Sequence, residues 1–210
     1  MSFDDIDQPQ PAATEVLIKI EAAGINYIDT YQRSGLYQIP LPTTLGLEAS
    51  GTVEGIGSDV SRFKIGDRVA YTNVLGAYAE YSALDQDKVV ALPDGVSFNE
   101  GAAAMLQGCT AHYLSQSTYP IKKGDSCLIH AAAGGVGLIL TQMAKNAGAY
   151  VIGTVSTQEK AELALAAGAD EVILYSETDF ETEVKRITEG AGVNVVYDSV
   201  GKTTFDKSIE

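Results

Sequence analysis

Between Glu15 and Pro93 the apolar positions fall in short runs cut by glycine: EVLIKI, EASGTVEGIG, DRVAY, AEYSAL and KVVALP. Runs of this length bounded by turn formers predict β-strands. Glycines at 46, 51, 55, 57, 66 and 76 predict the tight corners and bulges of a strongly bent sheet. A strand-rich, barrel-like unit is therefore expected over residues 1–95. The period then lengthens. Ser97 to Ser117 (SFNEGAAAMLQGCTAHYLSQS) predicts a helix, with Ser97 as N-cap and Glu100 three residues later at capping-box spacing. Residues 96–124 read as this helix plus a linker, YPIKKGD. Over 125–210 strands and helices alternate: SCLIHA, GVGLILTQMAKNAG, YVIGTV, TQEKAELALAAG, EVILY, DFETEVKRITEG and VNVVYDSV. That rhythm predicts a parallel sheet covered by helices on both faces.

Composition narrows the function classes. The chain has 210 residues, 45% hydrophobic and 20% charged, which suits a packed globular core and not a disordered segment. Its formal net charge is -14, from 28 acidic and 14 basic residues. A field of that sign opposes binding to nucleic acid and to anionic membranes. Both cysteines, Cys109 and Cys127, lie in apolar runs and are expected to act as small hydrophobes, so no disulfide or metal site is expected. The start, MSFDDIDQPQPAATEVLIKI, is acidic where a secretory signal is basic and apolar. No apolar run nears the roughly 20 residues of a membrane span. A cytoplasmic protein without membrane attachment is expected.

The chemistry concentrates in one turn. Ala132, Ala133, Gly134, Gly135, Val136 and Gly137 follow an apolar strand and open an apolar helix. There, helix amides and the helix dipole can receive a pyrophosphate. Ala132 stands where the usual fingerprint has its first glycine, while Gly134 still permits close backbone approach and Gly137 close packing. Inside four strand-helix alternations this reads as a Rossmann-type dinucleotide site. About 20 residues on, where NAD-binding enzymes place a carboxylate for the ribose 2′-hydroxyl, the chain has none. Ser156 can instead donate a hydrogen bond and Lys160 a charge to a 2′-phosphate, so NADPH is expected over NADH; a solvated helix lysine is the plainer reading of Lys160. Tyr175, ending the third strand, can pack near adenosine, reach the same phosphate, or simply close a strand. Asp198 is expected only to cap a loop.

The segments HAAAGGVG (130–137), GINYIDTYQRSGLY (24–37) and VYDSVG (196–201), with LGLEASG (45–51) and KIGDRV (64–69), resemble the zeta-crystallin-like NADPH:quinone oxidoreductases. These form a zinc-independent branch of the medium-chain dehydrogenase/reductase superfamily. The resemblance covers nearly the whole chain. It implies an α/β fold in which a GroES-like β-barrel domain precedes the first four strands of a Rossmann-type parallel sheet, both incomplete. The family continues before the position of Met1 and for on the order of a hundred residues beyond Glu210, and its members are commonly homodimers. Zinc alcohol dehydrogenases of the superfamily carry a cysteine at the position of Asn26 and a histidine-glutamate pair at Leu47 and Glu48. His112, His130 and Cys109 form no set at a familiar zinc spacing. By resemblance, Asn26, Tyr31, Thr110, Ala133, Gly134, Gly135, Val136, Gly137, Ser156, Lys160 and Tyr175 lie near the cofactor. Asp29 and Tyr37 are the substrate-side candidates, with barrel packing as their plainer role. The expected activity is metal-free hydride transfer from NADPH to a quinone or related electrophile. Reduction of enals or enones and noncatalytic NADPH binding stay open, and RNA binding is disfavoured by charge.

Overall fold

A computed structural model describes all residues, 1–210. The elements are β1 (Glu15–Ala23), α1 (Tyr27–Ser34), β2 (Glu48–Ile56), β3 (Arg68–Thr72), β4 (Tyr81–Asp85), β5 (Val89–Ala91), α2 (Phe98–Tyr113), β6 (Ser126–His130), α3 (Gly135–Asn146), β7 (Tyr150–Val155), α4 (Gln158–Ala166), β8 (Glu171–Leu174), α5 (Phe180–Ile187), β9 (Val195–Tyr197) and α6 (Phe205–Ser208). The chain divides into two compact units, Met1–Leu106 and Gln107–Glu210.

The first unit is built on an antiparallel sheet in the order β4-β1-β2-β3-β5. The β1–β2 register slips between Leu17 and Ile18 and again between Ile20 and Ala22, the bulges that curl a sheet. Val16, Ile18, Val53, Val69, Tyr71 and Val89 form its core, each almost fully buried. The α/β class and barrel-type first unit expected from the pattern are therefore found. One element was not expected there, the helix α1. Among its residues only Asp29 is buried, so no apolar period announces it. Its signals are instead terminal: Asn26 with Asp29 three residues on, and Gly35 at φ 78° just past the end.

The second unit holds a parallel sheet in the order β8-β7-β6-β9. Alternate residues of each strand face opposite layers, as the pleat requires. Cys127, Ile129, Val151 and Val155 pack with Leu140 of α3 and Ala161 and Ala164 of α4. Leu128, Ile152 and Ile173 pack with Phe180 and Val184 of α5. Ser97 and Glu100 form the expected capping box, Ser97 N–H donating to Glu100 Oε2 at 2.8 Å and Glu100 N–H to Ser97 Oγ at 3.2 Å. The helix ends at Tyr113 and continues as a π-helical turn over Leu114–Thr118. Cys127 is buried, as a small hydrophobe would be, whereas Cys109, expected to act the same way, is exposed on α2. The strand expected over 193–200 is only three residues long, because Asp198 turns the chain away by accepting from the N–H groups of Val200 and Gly201. No helix is long and apolar enough to cross a membrane.

Candidate dinucleotide and substrate sites

In the second unit, β6 ends at His130 and the chain turns through Ala131, held at φ 52°. The Gly134 N–H closes that turn by donating to the Ala131 carbonyl at 2.8 Å. Gly134 then serves as the extended N-cap of α3, whose first turn carries no acidic side chain. Gly134 and Gly135 are exposed, whereas Ala133 and Val136 are half-buried against the core. At Gly137 a Cβ would lie 2.4 Å from the Ala131 carbonyl oxygen and 2.7 Å from that of Ala132. Both obstacles are backbone, so only glycine lets helix and turn meet here. The result is a strand end, an open glycine turn and a helix N-terminus with its amides unblocked by carboxylate, which is an anion cradle.

Beside it, β7 ends at Val155, and Ser156 and Lys160 flank the start of α4. The Lys160 ammonium donates to Ser156 Oγ at 3.2 Å. The Glu159 carboxyl beside it is held below the usual range by its own backbone N–H and by the Thr157 hydroxyl. Ser176 Oγ donates to the Ser156 carbonyl at 2.9 Å, which tethers the loop after β8, and Tyr175 with it, to the same strand end. Tyr175 is about half exposed. Thr110 lies half-buried on α2. The structure thus brings Ser156, Lys160 and the Tyr175 loop together at the carboxyl ends of the parallel strands, where open α/β sheets bind ligands.

A cavity of about 490 Å³ opens at the same strand ends, lined among others by His130, Thr154, Tyr175, Phe180, Thr204 and Lys207. His130, read from sequence only as an unlikely metal ligand, forms part of its wall. Its Nδ1 pairs with Thr154 Oγ1 at 2.8 Å and its Nε2 with Ser208 Oγ at 3.1 Å, while the Phe180 ring meets it edge-on at 4.7 Å. Burial pushes the imidazole pKa below its ordinary value, against the opposing pull of the Asp198 carboxylate. Asp198 caps its loop as expected. Burial works against its charge, but the Gly201 N–H, the Thr204 hydroxyl, the Val200 N–H and His130 outweigh it and hold the carboxyl below the usual range. No periodic pattern marks this network, since its members come from β6, β7 and the segment after β9.

In the first unit, Asn26 caps α1. Asp29 Oδ2 accepts from the Asn26 N–H at 2.8 Å and from the Tyr78 hydroxyl at 2.6 Å, while its other oxygen is buried without a partner. The Tyr78 pKa is pushed up by burial and by Asp29. Tyr31 and Tyr37 stand with ring centroids 5.5 Å apart, Tyr27 and Tyr31 with theirs 6.5 Å apart, and all three are exposed. Sequence reading missed Tyr78 and Glu48. Glu48 is fully buried, with Oε1 accepting from Asn26 Nδ2 at 2.7 Å and Oε2 from the Leu106 N–H at 2.6 Å. No group of three or more His, Cys, Asp or Glu side chains is placed to hold a metal ion.

Comparison with known proteins agrees with this architecture. Residues 12–94 match the family profile described as alcohol dehydrogenase GroES-like domain, and residues 135–210 the one described as zinc-binding dehydrogenase. A quinone oxidoreductase of Pseudomonas aeruginosa is 50% identical over 212 residues, covering 100% of this chain and 65% of that protein. A Burkholderia 2-haloacrylate reductase is 41% identical, covering 99% of this chain and 65% of that protein. The crystal structure of Escherichia coli quinone oxidoreductase complexed with NADPH superposes with a TM-score of 0.93 at 49% identity, covering 100% of this chain and 64% of that one. The chain therefore spans a little under two thirds of the length of these relatives.

Proposed function

The chain belongs to the quinone oxidoreductases of the medium-chain dehydrogenase/reductase superfamily, and from that membership we propose that it serves NADPH-dependent reduction of a quinone by hydride transfer without a metal. The observation that carries the cofactor choice is the Lys160–Ser156 pair, 3.2 Å apart at the end of β7 with no carboxylate turned toward it. A cation and a hydroxyl at that place suit a 2′-phosphate and would leave the hydroxyl of NADH unrewarded. The Gly134–Gly137 cradle, where a Cβ at Gly137 would strike backbone, fits a pyrophosphate.

In this reading residues 1–95 form the substrate-side domain, 96–124 the connector and 125–210 the dinucleotide-binding domain. Ala133, Gly134, Gly135, Val136 and Gly137 receive the pyrophosphate, Ser156 and Lys160 the 2′-phosphate, and Tyr175 the adenosine end. Asn26, Tyr31 and Thr110 are, by family resemblance, further residues near the cofactor. NADPH, when bound, supplies a hydride from its nicotinamide ring. The protein's part is to hold a flat acceptor, for which the tyrosine rings of α1 and its following loop offer apolar faces, and Tyr37 can donate its hydroxyl proton to the acceptor oxygen. Metal independence rests on the donor set: where a zinc site would need a thiolate and an imidazole, this chain has the Asn26 amide bonded to Glu48, and Leu47. The likeness to a 2-haloacrylate reductase favours one second reading, reduction of an activated alkene, which needs the same hydride and a proton for the α-carbon.

Isothermal titration of this chain with NADPH and NADH tests the proposal. We expect NADPH to bind at least about tenfold more tightly, Lys160→Ala to erase that margin, and Gly137→Val to abolish binding of either nucleotide. Equal affinity for the two nucleotides in the wild type would rule out the 2′-phosphate assignment.

A further inference from the structure

On one side the parallel sheet ends at β8, which has β7 as its only neighbour. In a parallel ladder, residues that bond the neighbouring strand alternate with residues whose N–H and C=O point the other way. The Asp170 N–H donates to the Val151 carbonyl at 2.9 Å, so Asp170 and Val172 face β7. The main-chain groups of Glu171 and Ile173 therefore face outward. A groove of about 250 Å³ runs along this edge, lined by the whole of β8 and by Glu177, Glu183 and Ile187 among others. The two faces of the edge differ in chemistry. On the side of α3 and α4, Val172 and Leu174 are half-buried apolar side chains. On the side of α5, Ile173 is buried, and the pleat puts the exposed Glu171 on that same side. Arg186 is the one cation lining the groove, and it is tied to Glu183 at 2.8 Å. Glu171 and Glu177 enter no ion pair.

Unpaired main-chain groups on an edge accept an added strand, whose side chains fall on the same faces as the residues they pair with. A strand laid against β8 sets every second side chain beside Val172 and Leu174. The alternate side chains meet the carboxylates of Glu171 and Glu183. We propose that the β8 edge is a docking site for an extended segment of a partner protein in which basic and apolar residues alternate. A second copy of this chain does not suit the place, because two such edges side by side would bring like carboxylates together, in chains that each carry a net charge of -14. The same carboxylates oppose a nucleic acid. The surface belongs to the second unit alone, and its occupation does not require a bound nucleotide.

The probe is a capped hexapeptide that alternates lysine and valine. Its control, of equal charge and composition, has the lysines in one block and the valines in the other. Titration of the 210-residue chain, followed by backbone amide resonances, should show the alternating peptide bound about fivefold more tightly than the control. Hydrogen exchange should slow at the Glu171 and Ile173 N–H groups and stay unchanged at Val172, which is already in the ladder. Glu171→Gln removes one charge and should weaken binding about threefold. Glu171→Pro also removes an outward N–H, which the first residue of an edge strand tolerates, and should weaken binding about fivefold further. Equal binding of the two peptides, or binding that leaves the Glu171 and Ile173 amides unprotected, is charge attraction alone and overturns the proposal. Absence of saturable binding up to about 1 mM peptide overturns it as well. If Glu171→Pro does not fold, the exchange rates of the wild type decide the matter.

Discussion

His130 is the residue whose behaviour departs furthest from what its neighbours in sequence suggest. It ends a buried strand and binds Thr154 and Ser208 through its two ring nitrogens, with the Phe180 ring against its edge. Burial lowers its pKa from 6.5 despite Asp198, so the folded protein resists taking a proton that the unfolded chain accepts as pH falls through about 6.5. Stability must therefore decline on that acid side and be free of this contribution above it. We expect the melting temperature of the wild type to fall more steeply between about pH 7 and 5 than that of His130→Gln, measured by calorimetry. The Asp198 carboxyl, held below 3.8, acts in the same direction at lower pH: its stabilisation persists through that window and is lost only as pH falls below about 3.8. The same scale separates the two cysteines. Burial pushes the Cys127 thiol up to about 12, leaving it unreactive at neutral pH, whereas Cys109 is exposed. The apolar sequence around each is similar, and only the face of the element on which it falls distinguishes them.

At the scale of elements, local signals were legible wherever an element has an apolar period. Strands β1 to β4 and helices α2 to α5 follow from period and punctuation, and Ser97 with Glu100 announced the start of α2. Replacing Ser97 by Ala removes the acceptor for the Glu100 N–H. It should cost about 1 kcal/mol, read as a lower urea midpoint with an unchanged m-value; an unaltered midpoint would show the cap to be idle. The helix α1 was illegible because its buried side is a carboxylate, one oxygen of which is held by the helix's own N-cap and by Tyr78. The length of β9 was overestimated for a related reason. Val193 to Val200 is apolar enough for a longer strand, but the Asp198 turn, completed by Thr204, ends it after Tyr197.

Across the whole molecule the net charge of -14 is a property no fold can hide. Single-stranded RNA should show no gain in affinity as salt drops from about 200 to 50 mM, by filter binding or anisotropy; a steep gain would reveal a basic stripe that the total conceals. The alternation of strands and helices, the glycine turn and the Ser156–Lys160 spacing were determined by the sequence alone. Each depends on residues within a few positions of one another, so periodicity and steric rules suffice to expose it. Tertiary structure alone decided the strand order, the wall of the cavity, and the Glu48 network, whose partners lie 22 and 58 residues from it along the chain. A buried carboxylate cannot state in sequence which distant N–H groups will satisfy it. That is settled when sheet register and helix packing bring them within hydrogen-bond range and the cost of burying the charge leaves no other arrangement.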